Sequence, residues 1–341
     1  MLLLVTSQVS HAITDGDLEA SSAHLQAAAK LRETRSTPIQ NMALIHYMKI
    51  DAKRAAVTLD YPTMTLEESS PLISIPSGLR TLIEEHCEAS FRTFPRDFPF
   101  HIELLSGLHG MALTHEARIS TVVEAVSTNW CYTHTLHRLS RLAAECCNTK
   151  AVEGSTRVSR PTLAIALCLE FFGWEHCPVK FPWVDHPGYM KRLSNALLAK
   201  LHDCLDLANE DALDQWTESG ASLVSLLWVL VMGIAMSCMA SHPLAPHSSD
   251  PSLLFLQTTK NVVGHLGIVN SDAFEQALQC LPWTTDFCGV WCRRISSRLG
   301  LAGVERSAAV EWPPRDLSSC CHGACDRHAV DFLTRSQSEP K

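Results

Sequence analysis

The run from Leu223 to Ala240, LVSLLWVLVMGIAMSCMA, holds 18 residues and no charged side chain. A helix apolar on all sides must either cross a bilayer or be enclosed by other protein. Its length sits at the lower limit for a membrane span. Spans are oriented by Lys and Arg close to their ends. Here the nearest basic residues are Lys200 and Lys260, about twenty residues away on each side. The preceding flank is acidic, with Glu210, Asp211, Asp214 and Glu218, and the following flank reads SHPLAPHSSD. Ser225 and Ser237 interrupt the run, and no second apolar segment of that length occurs. The run is expected to form the core helix of a helical protein, with a single membrane span as the alternative.

The rest of the chain can supply the enclosure. Of 341 residues, 46% are hydrophobic and 19% charged, a composition that buries a core rather than staying disordered. The length admits about two domains or one large helical one. In IQNMALIHYMKIDAKRAAVTLD, the residues Met42, Ile45, Met48, Ala52, Ala55 and Leu59 recur at steps of three or four, which predicts one buried face. In YMKRLSNALLAKLHDCLDL, Leu193, Leu197, Leu201 and Leu205 repeat every fourth residue and predict a buried stripe. Alternating β-branched segments never persist, so strands are not expected. Proline-bearing breaks fall at residues 62–76, 93–99, 150–161, 176–187 and 241–251. After Trp312 the pattern dissolves into PPRDLSSCCHGACDRH, where a poorly ordered tail is expected. The fold expectation is therefore all-α: an irregular multi-helix bundle with a buried central apolar helix over residues 1–298, and a disordered C-terminal tail over residues 299–341.

Charge and cysteine usage narrow the function classes. The net charge is −8 and no window is strongly basic, which argues against direct nucleic-acid binding. The 14 cysteines do not resemble a disulfide framework, since Cys168, Cys204, Cys238 and Cys280 fall at positions a helical core would bury. The opening MLLLVTSQVSHA has a short apolar run and no basic n-region, whereas a signal peptide needs about 7–15 apolar residues behind a positive charge. An intracellular, reducing compartment is expected.

The motifs of common catalytic sites are missing: no Gly-x-Ser-x-Gly, no phosphate loop, no Gly-x-Gly-x-x-Gly and no His-Glu-x-x-His occurs. Two clusters have metal-ligand character. WCYTHTLHRL places Cys131, His134 and His137 at steps of three on a helix, where they could hold zinc, but no fourth ligand is evident. The competing reading is an amphipathic helix with histidines near its polar edge. In the tail, Cys320, Cys321, His322, Cys325 and His328 form a denser set, yet a structural zinc site pairs two ligand knuckles and only one is present. His86 with Glu84, Glu85 and Glu88 has acid–base potential, against the plainer reading of a solvated helix face. His101, His109, His242 and His247 are scattered around loops and junctions. Trp283, Phe287 and Trp291, spaced by four, predict one helix face turned to the core. No catalytic, cofactor-binding or metal residue is assigned, and no cofactor or enzyme activity is expected.

Four stretches in order resemble the fungal-specific transcription factor domain, the helical regulatory region that usually follows a Zn₂Cys₆ cluster. DGDLEASSAHLQAAAKLRETR is similar to its His-Leu segment with a leucine-rich turn and an Arg. IHYMKIDAKRAAVTLDYPTM is similar to its helix with a central Asp, small residues and a closing Pro. SLLWVLVMGIAMS resembles its buried Leu-Leu-Trp helix, with Leu227 and Trp228 facing the core and Gly233 permitting close helix approach. LGIVNSDAFEQALQCLPWTTDFCGVWCRRI resembles its closing segment, a short helix leading to a Trp and a final Trp-bearing helix. Together they cover about residues 10–298.

The cluster itself needs six cysteines in a basic context, starting Cys-x₂-Cys-x₆-Cys. That spacing is missing, and Cys87 is the first cysteine. The family's DNA contacts therefore map to no residue here; either an upstream exon carries the cluster or the domain acts only through partners. The resemblance implies a nuclear or nucleo-cytoplasmic regulator that contacts proteins of the transcription machinery, with a metabolic gene cluster as its candidate target and a homo- or heterodimer as its candidate assembly. With a net charge of −8 and no Zn₂Cys₆ cluster, no direct nucleic-acid binding by the chain as given is expected, and no membrane. The alternatives are a helical enzyme of specialised metabolism and a single-span membrane protein.

Overall fold

The computed structural model describes residues 2–33, 40–64, 77–99, 102–117, 122–148, 158–176, 188–205, 212–240 and 251–301. Among them lie thirteen α-helices and no strand, the all-α architecture that the periodicity predicts. The tail beyond residue 301 lies outside the described residues.

The uncharged run forms one helix with the bounds of the run itself, α10 (Leu223–Ala240). By length and composition it passes for a membrane span, but here it is enclosed by protein: every residue from Ser225 to Cys238 is buried. Around it pack α7 (Arg160–Glu175), α8 (Gly188–Leu205), α9 (Ala212–Glu218), α11 (Pro251–His265), α12 (Ser271–Leu278) and α13 (Val290–Leu299). Trp228 is wholly buried, and its indole N–H donates to the carbonyl of Pro282 at 3.2 Å, so the largest apolar side chain leaves no orphaned donor. Gly233 is required by packing: a Cβ there would lie 2.5 Å from a ring carbon of Phe255 on α11. The leucine stripe of α8 is buried as predicted, with Leu193, Leu197 and Leu201 fully so and Leu205 at the rim.

A second centre forms around α3 (Gln40–Thr58), which packs on α1 (Leu2–Asp15), α2 (Leu18–Glu33), α6 (Val122–Asn148) and α8. The expectation of a single buried face is too narrow. Every residue from 46 to 56 is buried, including Lys49, Asp51, Lys53 and Arg54. Met48, Ala52 and Ala55 lie in that stretch as expected; the side chains of Met42 and Ile45 fall outside the described set. Leu59 is not on the helix at all. It has a left-handed φ of 55° just past the C-terminus, a conformation that costs a β-carbon-bearing residue about 1–2 kcal/mol. Helices α4 (Ser77–Phe91) and α5 (Ile102–Ala117) pack together, and α5 joins the bundle through α6.

Local chemistry sets several helix ends. At the start of α7, the Ser159 hydroxyl accepts from the Thr162 N–H, and Pro161 lies in the first turn, where its missing N–H costs nothing. Asn270 caps α12 by accepting from Ala273 N–H at 2.8 Å. Gly300 ends α13 in the left-handed conformation at φ 71°.

The aromatic trio departs from a single α-helical face. Trp283 precedes a π turn (Thr285–Gly289) that contains Phe287, and Trp291 lies on α13. The extra residue of the π turn resets the four-residue spacing. The core reading still holds: Phe287 packs edge-on to Trp291 and His176, with Trp291 buried.

Candidate functional site

Ionisable groups cluster where α3, α6, α7 and α8 meet, and their chemistry can be built outward from Asp51. This carboxylate is fully buried. Its Oδ1 accepts from the backbone N–H and the hydroxyl of Thr63, at 3.0 and 2.8 Å, and its Oδ2 accepts from Met64 N–H at 2.8 Å. The Arg54 guanidinium stands 3.7 Å from Oδ1 and donates to the Tyr61 carbonyl at 2.9 Å. His137 on α6 brings Nε2 to 3.8 Å from Oδ2, an ion-pair distance too long for a hydrogen bond. The chain thus leaves α3 through the strained Leu59 and folds back so that residues 63 and 64 are fastened to the helix. The Asn148 side chain, donating to the Leu59 carbonyl at 3.0 Å, holds the reversal from α6. Burial raises the Asp51 carboxyl, but His137 and the bonds from Met64 and Thr63 outweigh it and hold the group below its ordinary value. An ionised carboxylate with both oxygens occupied is a fastener, not a base awaiting a proton.

Beyond Asp51, the Lys53 ammonium is fully buried and stands over the ring of Tyr189 at 4.4 Å and that of Trp174 at 6.0 Å. Aromatic faces supply part of the stabilisation that a buried cation needs. The Trp174 indole N–H donates to Glu170 Oε1 at 2.7 Å, and Ser140 Oγ lies 2.6 Å from the same oxygen. Burial pushes the Glu170 carboxyl up to about 8, against the opposing pull of Ser140 and Trp174. Two carboxylates on neighbouring helices are thereby driven apart in protonation, Asp51 charged and Glu170 neutral.

Other groups with catalytic appearance prove to be fasteners as well. Ser90 Oγ lies 2.9 Å from His109 Nε2, which on distance alone suggests a nucleophile and its base. The single Ser90 hydrogen, however, goes to the Cys280 carbonyl at 2.6 Å, so His109 must donate to Ser90. Burial, with a smaller contribution from His86, pushes His109 down to about 3, so it stays neutral. The dyad joins α4, α5 and the turn after α12. His176 works similarly at the C-terminus of α7. Its Nδ1 lies 2.8 Å from the Phe172 carbonyl, which can only accept, so Nδ1 carries the hydrogen and Nε2 faces the Thr284 hydroxyl at 2.7 Å. Asp97 accepts from Ser159 N–H and from the hydroxyls of Ser159 and Thr162, securing the start of α7 from the 93–98 turn.

The groups singled out in the sequence are distributed as follows. His134 and His137 are buried rather than at a polar edge, and His137 is directed to Asp51. The Cys131 side chain lies outside the described set, and among the described residues no three potential ligands assemble around a metal position. Glu84, Glu85 and Glu88 are exposed, with Glu88 pairing with Arg92 one turn on, as a solvated face does. His86 is half-buried and packs against the His109 ring. His101, His242, His247 and the tail ligands Cys320, Cys321, His322, Cys325 and His328 lie outside the described residues. The nine described cysteines are free thiols; Cys168, Cys204 and Cys238 are buried, whereas Cys280 is half-buried rather than fully enclosed. Burial pushes Cys146 and Cys204 up to about 12, which removes thiolate reactivity.

Sequence reasoning missed Lys53, Ser140, Glu170 and Trp174. One signal was visible: Glu170 is the lone charge in LAIALCLEFFGW, and a carboxyl inside an apolar run needs a specific partner. Comparison of the chain with known protein families, curated proteins and solved structures finds no match to any of the three.

Proposed function

We propose that the chain is a helical regulatory domain of the fungal transcription factor type, acting through protein–protein contacts in the nucleus on genes of a metabolic cluster. The observation that carries this reading is the convergence of the resembling stretches. The Asp-centred helix is α3, with Asp51 as its buried anchor, and the Leu-Leu-Trp helix is α10. The closing stretch is α12, the π turn and α13. Trp228 of the third stretch is bonded to Pro282 of the fourth, so sequence-distant likenesses meet in one core.

Two further features support it. The ionisable groups at the helix junctions are turned onto protein partners, which suits a domain whose work is contact rather than chemistry. The net charge of −8 fits partner proteins better than phosphates. The test is a tethering experiment: the full chain is fused to a heterologous DNA-binding module upstream of a reporter in a fungal host. A several-fold change in reporter output over the module alone is expected. Unchanged output from a fusion that is folded, nuclear and bound at the promoter would overturn the reading.

A further inference from the structure

Glu170 is wholly buried in the middle of α7. Trp174, one turn on, can only donate to it. Oε2 has no hydrogen-bond partner among the described residues, and no ion pair reaches the carboxyl there. A negative charge at this position would leave one oxygen bare in a low-dielectric interior, whereas an under-used oxygen on a neutral acid is tolerated. The groups around it are few. From α6 come Ser140 and, one turn earlier, His137, which is directed to Asp51. From α3 come Asp51 and the Lys53 ammonium, the latter over the Trp174 and Tyr189 rings. From α8 comes Tyr189 itself, whose hydroxyl is 3.5 Å from the Lys53 carbonyl. α10 brings no Asp, Glu, Lys, Arg or His, and α7 itself adds the buried Cys168 thiol.

The hydrogen inventory at Ser140 gives the arrangement a switchable element. Its hydroxyl has one hydrogen and three acceptors in range: Ala52 O at 3.1 Å, Leu136 O at 3.0 Å and Glu170 Oε1 at 2.6 Å. With an acid proton on Oε1, Glu170 donates to Ser140, whose own hydrogen is then free for Ala52 O on α3 or Leu136 O on α6, so a donor chain can run from α7 through α6 to α3. Without that proton, Ser140 must turn its hydrogen to Glu170, and the link to α3 ends.

We propose that Glu170 is a proton-controlled clasp: as the neutral acid it locks α7, α6 and α3 through Ser140, and loss of its proton opens that lock. With the carboxyl raised to about 8, the release falls just above neutrality. The sign follows from linkage. The folded state keeps a proton that the unfolded chain loses near 4.5, so the stabilisation is complete below that value, declines as pH rises, and is gone above about 8.

The experiment compares the full-length parent with Glu170→Gln and Ser140→Ala by infrared titration and by hydrogen exchange at matched chemical exchange rates. The parent is expected to show a carboxylic-acid C=O band at pH 7 that disappears near pH 8, absent from Glu170→Gln. Its unfolding constant should rise by up to about tenfold per pH unit between pH 5 and 8 in excess of the Gln variant. Ser140→Ala should keep the infrared band but lose the pH-dependent protection of residues 46–56. Should Glu170→Gln not fold, the parent's infrared titration and the Ser140→Ala exchange decide alone. A parent without the acid band at pH 6, or exchange profiles in residues 46–56 that run parallel in parent and Ser140→Ala, would overturn the proposal.

Discussion

α10 and α3 are both enclosed by other helices, yet they are opposites in composition. α10 carries no charge between Leu223 and Ala240, and its burial follows from transferring apolar side chains out of water. α3 carries Lys49, Asp51, Lys53 and Arg54 within six positions and buries all four. Each such charge loses hydration, and a buried pair returns only part of that loss. What the polar centre supplies in exchange is geometry. Asp51 accepts from residues 63 and 64 and stands against Arg54 and His137, Arg54 donates to the Tyr61 carbonyl, and Lys53 lies over the Trp174 and Tyr189 rings. The comparison teaches that the apolar centre provides the free energy of this fold, while the polar centre specifies which helices meet and how the chain turns between them.

The comparison can be broken most directly at Trp228. Trp228→Ala removes the largest side chain of the apolar centre and should cost about 3–5 kcal/mol. Against a typical total of about 5–15 kcal/mol, thermal unfolding and soluble yield should both fall sharply. A variant as stable as the parent would show that α10 is not the energetic centre.

Asp51→Ala probes the other side and should cost about 3 kcal/mol, because His137, Arg54 and the N–H groups of residues 63 and 64 lose their shared acceptor. Unlike Trp228→Ala, it should also release the reversal after α3, read as new protease cleavage around residues 59–64. The Asp51 contribution is present above about pH 4 and disappears on acidification, since the folded carboxyl lies below its unfolded value of 3.8. On acidification below about pH 4 the parent should therefore lose stability more steeply than Asp51→Ala, the two curves converging at low pH. Equal protease patterns in the two variants would remove the division of labour between the centres.

The smallest effect is expected from Gly233→Ala, which adds one methyl against the Phe255 ring at the α10–α11 contact and should cost about 1–3 kcal/mol. A neutral or stabilising result, measured by denaturant titration, would mean that the apolar centre is loosely packed and can shift its rings.

Much of the apolar centre was legible without coordinates. The bounds of α10, the burial of Trp228 and the Leu193–Leu205 stripe follow from period and charge, since an uncharged run has few places to go. The polar centre was not legible, because KIDAKRAA reads as an ordinary amphipathic segment with a solvated face. Its burial depends on Ser140, Trp174, Tyr189 and His137, which arrive from helices up to 138 positions along the chain from Asp51. The Ser90–His109 pair shows the same limit: His109 was visible as a histidine near a junction, but only the Cys280 carbonyl decides which way its hydrogen bond runs.

The sequence by itself determined that this chain is helical and that one uncharged helix belongs at its centre. These are properties of period and side-chain volume, which neighbours in the chain carry among themselves. Only the tertiary structure decided that Asp51 stays charged while Glu170 stays neutral, that Lys53 rests on two aromatic rings, and that a π turn splits Trp283 from Trp291. A buried charge, unlike an apolar surface, is stable only beside particular atoms at particular distances, and those atoms come from remote positions that no local pattern records.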